Sequence, residues 1–78
     1  MDYSNLKIPD IHTPAGTVVV WVDLDAGNRL IMGKLYTAKG TYDKYLSVLD
    51  ELNMVGGWPY YKFRIIRYPT IDERINAL

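Results

Sequence analysis

Apolar side chains are densest in Thr17-Val18-Val19-Val20-Trp21-Val22-Asp23-Leu24, where four valines fall within five residues. β-branched side chains are stiff at χ1 and suit a pleated surface better than a helix, so residues 17–24 predict a strand. Taken alternately, Val18, Val20, Val22 and Leu24 share one face, and Val19 and Trp21 share the other. A strand apolar on both faces belongs at the centre of a sheet or under cover on both sides. Asp25-Ala26-Gly27-Asn28 reads as a hairpin turn, because Gly27 and Asn28 tolerate positive φ. The returning strand is expected over 29–37, with Gly33 as a bulge that resets the alternation between Met32 and Leu35.

The period then changes. Tyr45, Val48, Leu49 and Leu52 recur at helical spacing, with Asp43, Lys44, Ser47, Asp50 and Glu51 opposite, so a helix is expected over 42–54. Thr41 would cap it, and Gly56-Gly57 would stop it. Residues 56–69 return to strand composition and hold five of the ten aromatic and three of the nine basic residues. Alternation there sends Tyr61, Phe63 and Ile65 one way, and Tyr60, Lys62, Arg64, Ile66 and Tyr68 the other. Before the valine strand, Pro9 and Pro14 keep residues 1–15 extended, with Leu6, Ile8 and Ile11 spaced to touch a surface. After the last strand, Thr70 and Glu73 form a capping box for a short helix carrying Ile71, Ile75 and Leu78 on one side.

This order predicts an α+β fold. Its sheet is small, three-stranded and mainly antiparallel (β-β-α-β, spatial order 2-1-3), with one helix packed on a face. An extended N-terminal arm (1–15) precedes the ββαβ domain (16–69), and a short C-terminal helix (70–78) follows, all within a single domain. The helix would cover Val18, Val20 and Val22 together with Phe63 and Ile65. Val19, Trp21, Tyr60, Lys62, Arg64 and Tyr68 would lie on the opposite face.

Composition narrows the function. A chain of 78 residues buries only about 60–65% of the surface its unfolded form exposes, which implies stability of a few kcal/mol. It has no cysteine, which excludes disulfides and thiolate metal sites, and nine basic side chains balance nine acidic ones. Nucleic acid or anionic lipid would therefore have to be held by a local patch rather than by net charge. With neither a signal-peptide pattern nor an apolar run of roughly 20 residues, a soluble cytoplasmic protein with no membrane contact is expected.

Candidate chemistry is sparse. Asp23-Leu24-Asp25 opens like a calcium loop, but Gly27, Asn28 and Lys34 stand where a ligand, a glycine and a glutamate are needed; the two aspartates read as braces of the turn. His12 is the one histidine, and neither Ser4 nor Ser47 sits in a nucleophile motif. No catalytic residue, metal or cofactor is expected. Gly56-Gly57 leads into a strand, whereas a phosphate loop leads into a helix. The aromatic and basic set Trp21, Tyr60, Lys62, Arg64 and Tyr68 is the candidate partner-binding face, since Trp, Tyr and Arg anchor protein interfaces. Two other readings of these residues stay open: single-stranded nucleic acid could stack on the face, or Lys62 and Arg64 could pair with Asp23 and Asp25. Ile71, Ile75 and Leu78 are candidate contacts of a homo-oligomer, and a structural subunit exchanging arm and terminal helix is a third function.

In size and layout, two strands, a helix and an aromatic-basic last strand resemble small phage-encoded inhibitors, among them the transcription inhibitors of T7-like phages and some anti-CRISPR proteins. The resemblance runs over Thr17 to Pro69, includes no diagnostic motif and transfers no functional residue. It implies a non-enzymatic protein that sterically blocks a host enzyme or defence complex, acting in the host cytoplasm.

Overall fold

Five strands and one 3-10 turn, with no α-helix, make up the computed structural model, which describes residues 2–70. Strand β1 is Val18–Trp21, β2 Leu35–Tyr42, β3 Tyr45–Leu49, β4 Val55–Pro59 and β5 Phe63–Arg67, with the 3-10 turn Tyr60–Lys62 between the last two. All pairings are antiparallel, in the order β4-β3-β2-β1-β5. The fold is all-β, not α+β.

The main correction concerns residues 42–54. Tyr42 pairs with Tyr45 across a two-residue turn, and β3 runs on to a second turn that leads into β4. Helical spacing of Tyr45, Val48, Leu49 and Leu52 coexists with a period of two, in which Leu46 and Val48 are buried and Tyr45, Ser47 and Leu49 are half-buried. Two turns decide between the periods. Asp43 and Asn53 take left-handed backbone, with φ of 54° and 60°. The Asp50 carboxylate accepts the amides of Leu52 and Met54 at 2.9 and 3.0 Å, as an Asx turn does. A helix would forfeit these bonds.

The expected strand over 29–37 is also displaced. Ala26 and Leu30 bridge across a turn at Gly27, and β2 starts only at Leu35, after a second turn with Gly33 at φ 81°. The run 56–69 is two strands rather than one, because Pro59 ends β4 and the 3-10 turn changes direction. The valine strand does lie between its expected neighbours, with β2 on one side and β5 on the other. Its faces are reversed: Val19 and Trp21 sit opposite Ile65 and Phe63 and point into the core, while Val20 lies opposite Leu35 and Arg64. The terminal helix over 70–78, with Ile71, Ile75 and Leu78, lies outside the described residues.

Closure follows from the connectivity. β4 and β5 occupy opposite edges of the sheet, yet only three residues join them. In a flat sheet β1 and β4 would be about 14 Å apart, three strand spacings. The rings of Trp21 and Trp58 lie 6.3 Å apart instead, so the sheet curls until its two ends share one core. Phe63 packs edge-on against Trp21 at 5.1 Å. Leu30, Tyr36, Ala38, Leu46 and Val48 complete the interior, and β2 bends at a register shift between Ala38 and Gly40 to serve both halves.

The N-terminal arm is part of the fold. The Ile65 amide donates to the Lys7 carbonyl at 2.8 Å, along the outer edge of β5. Thr41 Oγ1 donates to the Ile11 carbonyl at 2.9 Å, and Pro9 is buried.

Candidate functional site

Curling of the sheet leaves a groove where the β2–β3 turn meets the 3-10 turn. Ile8, Lys44, Tyr45, Pro59, Tyr60 and Tyr61 line about 540 Å³ there. Each wall has a local cause. Tyr45 stands opposite Pro59 in the β3–β4 register, so both project from the outer face while Leu46 and Trp58 turn inward. Pro59 ends the ladder, and the 3-10 turn then presents Tyr60 and Tyr61 in succession. The Tyr60 hydroxyl donates to the Asp43 carbonyl at 3.0 Å, which ties the two turns together. The arm contributes Ile8. Tyr42, at the far side of the hairpin, is 77% exposed, and Tyr61 is 64% exposed.

Among the described residues, Lys44 is the cation that lines this groove. Lys44 Nζ lies 5.7 Å from the centre of the Tyr45 ring. Among the described residues it has no carboxylate within ion-pair distance.

The five sequence-derived contact residues do not form one surface. Trp21 is 2% exposed and its indole N–H donates to the Leu24 carbonyl at 2.7 Å, so it is core. Lys62 reaches Asp23 at 3.1 Å and lies 5.9 Å from each of the Trp21 and Tyr61 rings. The structural pairing of Lys62 is thus realised. The main-chain amide of Leu24, then Lys62, hold the Asp23 carboxyl below the ordinary carboxylate range. Arg64 turns back on its own strand start and donates to the carbonyls of Tyr61 and Phe63 at 2.8 and 2.7 Å. Tyr68 is half exposed beyond the end of β5. Tyr60 alone of the five lines the groove.

Sequence reading missed Tyr45, Tyr61 and Pro59. Tyr45 stood on the expected helix, and Tyr61 on the expected core face of an unbroken strand. The available signal was Pro59, which cannot donate in a ladder and so marks a strand end. Once the strand breaks there, the alternation beyond it no longer fixes the direction of Tyr60 and Tyr61.

Asp25 accepts the Met32 amide and braces its loop, and His12 is an exposed turn residue whose amide donates to Asp10. Among the described residues no three His, Asp or Glu side chains cluster closely enough to hold a metal ion. A second hollow of about 430 Å³, built largely on the arm and loops, is lined by Asp2, Tyr3, Ser4, Val22, Met32, Gly33 and Arg64, its two charged residues being of opposite sign. No helix among the described residues is long and apolar enough to cross a membrane. No family model matches the chain, and no curated protein or solved structure is significantly similar to it.

Proposed function

We propose that this is a non-enzymatic protein-binding module whose contact surface is the tyrosine groove. The observation that carries the reading is the convergence of Tyr45, Pro59, Tyr60, Tyr61 and Ile8 on one concave surface beside the core cluster, against which Tyr60 packs. Tyrosine supplies a large rigid apolar area with a polar tip and loses little side-chain entropy on binding, which suits an anchor position. Lys44 adds a cation at the rim, so the segment that fits is apolar with a nearby carboxylate. Occupying the groove acts sterically and requires no chemistry from the module.

The layout that resembled phage inhibitors included a helix that the fold does not contain, so that resemblance no longer supports the reading. The groove does. Tyr61→Ala removes the most exposed wall without touching the core and is expected to weaken the complex about 30-fold, a loss of about 2 kcal/mol. The measurement is capture from the native host with wild type and variant side by side, then titration of each captured partner. Equal affinity for both proteins would refute the site. A steep loss of binding with salt, together with recovered nucleic acid, would instead assign the groove to single strands.

A further inference from the structure

We infer that two copies of this chain pair through the outer edge of β4, antiparallel, about a two-fold axis at Gly57. A curled five-stranded sheet that does not close keeps two edges, and here they are β4 and β5. The chain covers β5 itself, through the bond from the Ile65 amide to the Lys7 carbonyl. Nothing covers β4: among the described residues it is bonded to β3 alone.

The register shows which groups are free. Residues of an antiparallel ladder alternate between bonded pairs and pairs whose amides and carbonyls point away. The Asp50 amide donates to the Met54 carbonyl at 2.9 Å, which makes that pair a bonded one. Continuing the register, Val48 with Gly56 and Leu46 with Trp58 are bonded as well. Val55, Gly57 and Pro59 therefore turn their main-chain groups outward.

That outward pattern is complementary to itself. Centred on Gly57, each Gly57 amide meets the second copy's Gly57 carbonyl, and each Val55 amide meets the second copy's Pro59 carbonyl. The missing N–H of Pro59 falls at both ends of the new ladder, where by symmetry it costs two bonds and leaves four. No side chain stands at the axis. Val55-Gly56-Gly57-Trp58-Pro59 contains no charged residue, so the like-charge repulsion that commonly guards an exposed edge is absent. Because β5 is covered, head-to-tail pairing of β4 with β5 is closed off, and the remaining contact is isologous and stops at two chains.

The test is sedimentation of the full chain from micromolar to millimolar concentration, with amide hydrogen exchange on the same samples. Mass is expected to rise from one chain to two. Gly56 and Trp58 amides should be protected throughout, while protection of Val55 and Gly57 should grow with concentration. Val55→Pro removes an outward donor that the β3–β4 ladder does not use, and is expected to weaken the dimer at least about tenfold. A chain that stays monomeric at millimolar concentration overturns the proposal. So does a dimer whose Val55 and Gly57 amides remain unprotected, because it would pair through another surface; this readout needs no variant to fold.

Discussion

Arg29 Nε lies 2.5 Å from Asp50 Oδ2, and the same guanidinium sits 5.1 Å over the ring of Trp58. One cation thus joins the loop between β1 and β2 to the β3–β4 turn and lids the edge of the core. Gly56 makes room for it, since a Cβ there would meet Arg29 at 2.6 Å and the Trp58 ring at 2.8 Å.

This contact predicts acid sensitivity. Burial acts to raise the pKa of Asp50, but hydrogen bonds from the Met54 amide, Arg29 and the Leu52 amide outweigh it, and the carboxyl is held below its ordinary value. Its folded pKa lies below its unfolded one, so its contribution is present above the ordinary value and is lost as pH falls through the depressed one. Urea midpoints measured between about pH 6 and about pH 3 should fall for the wild type and fall less for Asp50→Asn. Parallel curves would show that Asp50 is not the group responsible.

Leu46 and Leu52 distinguish the hairpin from the helix energetically. On a helix over 42–54 Leu52 belongs to the apolar stripe and Leu46 to its edge. In the fold Leu46 is fully buried and Leu52 is 46% exposed. Leu46→Ala is expected to cost about 3 kcal/mol and Leu52→Ala under about 1 kcal/mol. Chemical denaturation of the two variants measures both, and the reverse ranking would sink the β3 assignment.

The same pair shows what the sequence could express. The valine strand was legible, because β-branching and two apolar faces are local properties of residues 18–22. β3 was not, because a five-residue strand has only two inward positions, Leu46 and Val48, too few to outweigh Tyr45, Val48, Leu49 and Leu52 at helical spacing. Its identity rests on pairing with both neighbouring strands, Ala38 and Gly56 opposite Val48, which the periodicity of residues 45–49 alone does not express. The candidate site suffered in turn. Tyr45 reaches Tyr60 only after the hairpin forms, and the direction of Trp21 depends on which face the sheet curls toward.

The arm has a consequence for association. Removing residues 2–12 deletes Lys7, Ile8 and Ile11 and frees the Ile65 amide at the β5 edge. An exposed β5 beside an exposed β4 allows head-to-tail pairing, which does not close. The truncated chain is expected to melt at lower temperature and to form species larger than a dimer. Light scattering against concentration reads this, and an unchanged mass and melting point would show that the arm guards nothing.

The β2–β3 turn offers a stabilising change. Asp43 has φ 54° while Lys44 is not left-handed, which is the pattern of a two-residue type II′ hairpin turn. That first position favours glycine, because a side chain with positive φ costs roughly 1–2 kcal/mol. Added freedom in the unfolded chain takes back roughly 0.5–1 kcal/mol of the gain. Asp43→Gly should therefore stabilise by roughly 0.5–1 kcal/mol, and Asp43→Ala, which keeps the strain, should not. The hydrogen bond from Tyr60 is unaffected, because it ends on the main-chain carbonyl of residue 43. Thermal melts of the two variants decide the matter: a lower melting point for Asp43→Gly would mean that the turn is held by the Asp43 side chain rather than strained by it.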